Sequence, residues 1–206
     1  MINLKTIWNK LASRYTDNID LVDKLWNEIE KQYSKGKRHY HNLEHLEYMM
    51  EKAIKHKDSL NDLDTVMFAI FYHDIVYDTT RHDNEKKSAD LAHDRLVKLG
   101  FPADKAVKCQ GQIMATKEHK ESEDNDTSYL LDFDLAILGD TPECYRNYAE
   151  MIRAEYSIYP NFLYKKGRQK VLQHILSQKR IFKTQAFYDH YEHQARANVR
   201  SELEGL

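Results

Sequence analysis

Three histidines fall within seven positions of RHYHNLEHLEY, Arg38 to Tyr48: His39, His41 and His45. His41 and His45 are four apart, the spacing that puts two side chains on one face around the start of a helix. Two further anomalies lie downstream. His73 and Asp74 sit within MFAIFYHDIVY, and Asp132 and Asp134 within LLDFDLAIL, both otherwise mostly apolar. A carboxylate is costly to bury unless it is paired or bound to a cation. The His-Asp pair alone also fits a satisfied core histidine beside a capping or salt-bridged aspartate. Together, His on one segment, His-Asp on a second and Asp on a third point to a divalent metal. Imidazole and carboxylate suit Mn, Fe, Co, Ni or Zn, with Mg a further candidate. At this stage Asp132 and Asp134 are both candidates for the last ligand.

The elements that must position these groups read as amphipathic helices. The apolar period predicts helices from about 4 to 15 and from about 19 to 34, broken by KGKR. A third starts near Asn42, a good cap residue. LDTVMFAIFYHDIVYD is apolar almost all round, which predicts a helix buried on every side, with His73 and Asp74 near its middle. NEKKSADLAHDRLVKLG ends on Gly100 before Phe101-Pro102, a helix stop. A helix from about 103 to 116 follows, then the polar loop KEHKESEDNDTS, then the mostly apolar helix YLLDFDLAILG. Three long helices complete the chain, near 141–157, 161–179 and 184–203. There is no internal repeat or linker, so the expectation is one compact all-α bundle over residues 1–206.

Composition agrees. The 206 residues are 41% hydrophobic and 31% charged, a globular protein with a charged surface. Six glycines and three prolines are too few for a many-turned sandwich or barrel. The net charge of −2 gives no reason to expect a nucleic-acid polymer or a membrane surface as partner. Cys109 and Cys144 are isolated and read as reduced thiols. MINLKTIWNK lacks a signal-peptide apolar core and no run approaches a membrane span, so a cytoplasmic protein is expected.

At these residues the sequence resembles the HD-domain metal-dependent phosphohydrolases, named for an adjacent His-Asp pair. The resemblance implies a metal site of His45, His73, Asp74 and Asp134. YHNLEH, Tyr40 to His45, is similar to a motif of the cyclic-nucleotide phosphodiesterases in the same superfamily. That likeness makes His41 the candidate general acid and His45 the ligand. DNEKKSA, LDFDLAILG, IRAEY and Gly167-Arg168 extend the resemblance to a small bacterial branch. Arg153, Tyr156 and Arg168 become candidate substrate residues on the same basis.

Other residues have two readings each. Glu85 orients water or acts as a base, or else is a first-turn helix glutamate complementing the dipole. Arg38 clamps a substrate phosphate, or else is one solvated residue of KGKR. Of His82, His93 and His119, lying between the HD pair and the last Asp, His119 is the candidate ligand of a second metal; otherwise it is a loop histidine. His190, His193 and Arg196 read as surface groups, and His39 has no assigned role. The expected activity is metal-assisted hydrolysis of a small phosphoester, a nucleotide among the candidates. The alternatives are a di-iron oxygenase of the HD type and a non-catalytic nucleotide-binding module.

Overall fold

A computed structural model describes residues 2–206. Ten α-helices and no strands are present among the described residues. They are α1 Leu4–Ala12, α2 Ile19–Tyr33, α3 Leu43–Lys55, α4 Leu63–Tyr72 and α5 Asn84–Leu99. The remainder are α6 Ala103–Ala115, α7 Asn125–Leu135, α8 Pro142–Glu155, α9 Asn161–Ser177 and α10 Gln185–Gly205. The fold is all-α.

Most starts are set by a short polar side chain that takes a free backbone N–H. Asn3, Asn18, Asp62, Asp124, Thr141 and Thr184 cap α1, α2, α4, α7, α8 and α10 in this way. Gly100 stops α5 with φ at 84°, a left-handed conformation that a side chain disfavours.

Helix α4 is the centre of the molecule. Eight consecutive residues, Thr65 to Tyr72, are buried, and α4 packs against α3, α5, α6 and α7. On one side Trp8 of α1 meets Phe68, Phe71 and Tyr72 edge-on at centroid distances of 5.8, 5.3 and 6.1 Å. Two buried aspartates tie helix ends together. Asp126 accepts from the Asn61 and Asp62 backbone N–H groups at 2.8 and 2.9 Å and from Lys108 Nζ at 3.1 Å. Asp132 accepts from the Lys183 and Thr184 N–H groups and the Thr184 hydroxyl, each at 2.7 Å. These bonds fix the start of α10 on α7.

The helix through the HD pair is shorter than its apolar pattern. Helix α4 ends at Tyr72, His73 is its C-cap, and Asp74 lies in the turn that follows. The pattern runs on because Ile75, past the helix, is also buried. Likewise His45 lies in the first turn of α3 and Asp134 in the last turn of α7. The polar groups therefore project from helix ends, not from helix centres.

Candidate metal centre and its cleft

Each side chain at the centre is held from behind. The Asn42 side chain accepts from the N–H groups of Glu44 and His45 at 2.8 and 3.3 Å, which fixes His45 at the start of α3. His73 Nδ1 lies 2.9 Å from the Ile70 carbonyl, so Nδ1–H donates there and Nε2 faces the cluster. The Arg38 guanidinium underlies the turn. It donates to the carbonyls of His41, Asp74 and Ile75 at 3.1, 2.7 and 2.9 Å, with its charged carbon 4.7 Å from the Tyr33 ring centroid. One cation thus joins the YHN loop to the HD turn.

Four donor groups converge. His45 Nε2 is 3.2 Å from both His73 Nε2 and Asp134 Oδ1. His73 Nε2 is 3.2 Å from Asp74 Oδ2 and 3.9 Å from Asp134 Oδ1. The other Asp134 oxygen is 2.9 Å from His119 Nε2. His119 has φ of 48°, an uncommon conformation for a non-glycine residue.

The charges balance imperfectly within the protein. Burial opposes a charge on His73, but the adjoining Asp74 and the nearby Asp134 outweigh it and raise its pKa to about 9. Burial holds His45 below the ordinary value. Burial also works against charge on Asp74 and Asp134, yet the facing histidines pull both carboxyls well below the usual range. Among the described residues neither carboxylate is paired with a lysine or arginine, only with imidazoles.

These residues fit a divalent cation. Metal–ligand bonds of about 2.1 Å put neighbouring donors roughly 3.0–3.4 Å apart, and His45, His73 and Asp74 offer atoms all within 4.8 Å of one another. Two Nε2 atoms facing each other at 3.2 Å are a poor pairing unless one is protonated or both face a cation. The backbone bond at His73 Nδ1 is the outer contact that orients a metal-binding imidazole.

The two carboxylates of the cluster, Asp74 and Asp134, line a cleft of about 490 Å³. His41 stands beside it, Nε2 3.9 Å from Asp74 Oδ2. Its Nδ1 is 2.7 Å from Glu155 Oε2, which also accepts from the Tyr77 hydroxyl at 2.8 Å. Glu155 Oε1 takes the N–H groups of Tyr40 and His41 at 2.8 and 2.9 Å. Burial opposes ionisation of Glu155, but these bonds, led by His41, lower its pKa to about 2. Burial likewise opposes charge on His41, and Glu155 and Asp74 overcome it and raise the pKa. Tyr77 stacks on the His41 ring at 4.3 Å, so the imidazole has one orientation. The far wall carries Tyr148 and Ile152 of α8, Tyr156 at its C-cap, and Tyr164, Arg168 and Val171 of α9.

Residues 42–141 match the family model of the HD domain. This segment is an HD domain. HD domains bind divalent metals and belong to a superfamily of metal-dependent phosphohydrolases. No curated protein and no solved structure matches the chain. The matched span holds His45, His73, Asp74 and Asp134; Arg38 and His41 precede it, and Glu155 and Arg168 follow it.

Against this geometry the sequence candidates divide. His45, His73, Asp74 and Asp134 meet at the HD centre, whereas Asp132 faces away and is used on α10. His41, Glu85, Tyr156, Arg168 and His119 line the cleft. Arg38 and Arg153 are corrections. Arg38 is 7% exposed, lies outside the lining, and spends both terminal nitrogens on carbonyls, so it braces the HD turn and does not face a phosphate. Arg153 donates to Asn161 Oδ1 and to the carbonyls of Tyr156 and Tyr159, closing the turn between α8 and α9. Arg168 holds Glu202 through Nε and Nη2 at 2.7 and 2.9 Å while lining the cleft. His190 and His193 are exposed.

Glu155 and Tyr77 have no role in the sequence reading. A signal for Glu155 is nevertheless present. Tyr145, Tyr148, Ile152 and Glu155 recur at helical spacing on one face of α8, and a glutamate on an inward face is as anomalous as an aspartate in an apolar run.

Proposed function

We propose that this HD-domain protein hydrolyses a small phosphoester with the aid of a divalent cation. One observation carries the reading. Two imidazoles and two carboxylates converge at the end of a cleft where a separate histidine, His41, is fixed through its other nitrogen to a buried carboxylate. A cation held by His45, His73, Asp74 and Asp134 supplies Lewis acidity for the phosphoryl oxygens and lowers the pKa of an attacking water.

The protein's own groups do the rest. Glu155 keeps His41 protonated on Nδ1 and directs Nε2 to the cleft, so His41 Nε2–H donates the proton that the departing oxygen needs. Glu155 and Asp74 raise its pKa, which favours the protonated form. Glu85, half-buried on the wall, is placed to orient water. The rings of Tyr148, Tyr156 and Tyr164 offer flat apolar surface to the leaving group, which suits a nucleoside among other alcohols.

The test is product release from a panel of nucleotides and model phosphoesters. Protein stripped of metal is reloaded separately with Mn, Co, Ni, Mg, Fe and Zn. Metal-dependent release that vanishes in Asp74→Ala is expected. Stoichiometric metal binding with no release from any ester contradicts the hydrolase.

A further inference from the structure

The cleft does not end at the metal centre. A second groove of about 640 Å³ adjoins it, and the two share three lining residues: His119, Tyr148 and Val171. His119 on one side and the α8–α9 pair on the other form a neck between them. The cluster sits against this neck, because His119 Nε2 is 2.9 Å from Asp134 Oδ2. His41 and Tyr77 line only the first cleft. The second groove has an aliphatic floor of Leu138, Ile175 and Ile181. Its rim carries Lys117, Lys120 and Lys170 against one acidic group, Glu118, which pairs with Lys120. Lys117 donates to the His82 carbonyl at 2.9 Å, and Lys170 has no protein partner among the described residues.

We propose that the substrate is a phosphodiester that occupies both hollows, which rests on the hydrolase reading above. Its leaving group lies in the tyrosine-lined cleft, within reach of His41. Its retained substituent passes His119 into the second groove and carries an anionic group of its own, met by the lysine rim. A monoester has no second substituent and leaves this groove unused. The attacking water oxygen bonds to phosphorus as the bond from phosphorus to the leaving oxygen breaks. The electron pair departs with that oxygen, which takes the proton of His41. One proton of the water restores His41, and the products are one alcohol and one phosphomonoester.

Four chromogenic probes test this on metal-loaded protein, all releasing 4-nitrophenol. They are 4-nitrophenyl phosphate, bis(4-nitrophenyl) phosphate, and the 4-nitrophenyl ester of thymidine 5′-phosphate with and without a 3′-phosphate. The diesters are expected to exceed the monoester in kcat/KM. The added 3′-phosphate is expected to gain about tenfold, the scale of one or two charge-assisted hydrogen bonds. In Lys120→Glu/Lys170→Glu that preference is expected to disappear, through KM. Monoester turnover above diester turnover, or a 3′-phosphate preference that is absent or survives in the variant, overturns the two-cleft substrate and leaves the hydrolase intact. No turnover of any probe with metal bound overturns the hydrolase reading and this one with it.

Discussion

His41 and His45 are four residues apart, and their Nδ1 atoms have different surroundings. His41 Nδ1 is bonded to Glu155, whereas His45 Nδ1 is buried with no partner and its Nε2 faces the cluster. The first arrangement suits a proton donor and the second a metal ligand. His41→Asn should therefore keep its metal and lose about 10²–10⁴-fold in kcat, the usual contribution of a positioned acid. Metal content measured beside rate separates the two effects. Glu155→Gln removes one of the charges that raise the His41 pKa. A general acid works only while protonated, so the alkaline limb of kcat/KM should move to lower pH in this variant. An unmoved limb contradicts the pairing. His73 supplies a second pH dependence. Its pKa of about 9 in the metal-free protein lies above the unfolded value near 6.5. Its contribution to metal-free stability is thus complete below about pH 6.5 and is lost as pH rises toward 9. Metal binding displaces that proton, so affinity should rise with pH through the same window. Titration calorimetry in two buffers of different ionisation enthalpy reads the released proton directly.

The helices matter here through their ends. His45, His73 and Asp134 lie in the first turn of α3, at the C-cap of α4 and in the last turn of α7. Helix ends leave backbone groups free, and those groups are what orient the site: Ile70 O on His73, and the carbonyls of Asp74 and Ile75 on Arg38. Asn42 is the most testable of these ends. Asn42→Ala removes the acceptor for two N–H groups and should cost about 1 kcal/mol in denaturant unfolding, with weaker metal binding because His45 loses its fixed start. Equal metal affinity would show that the cap does not position His45. Much of this was legible in the sequence. Asn42 and Gly100 are short-range signals that act within a few residues. The HD pair stood out as polar groups in an apolar run, and so did Asp132 and Asp134 together; only the family resemblance separated those two. The end of α4 was not legible, since Ile75 is buried outside the helix as well as Phe71 within it. Arg38 was misread because its burial depends on α2 and the HD turn folding over a basic loop, which no local pattern encodes.

Across the whole molecule the site joins two regions. The HD domain at 42–141 supplies the four converging groups, and α8 and α9 beyond it supply Glu155, Arg168 and the tyrosine wall. Helix α10 holds that wall in place, with Glu202 bonded to Arg168 and to the Tyr145 hydroxyl. Among the described residues no helix is long and apolar enough to cross a membrane. Elemental analysis of protein dialysed against divalent metal reads whether the four groups form one metal centre. Bound metal is expected in the wild-type protein and in Asp132→Asn, whose carboxylate serves α10, with loss in Asp74→Ala and Asp134→Ala. Full metal content in Asp74→Ala and Asp134→Ala, or none in the wild type, would contradict this metal centre.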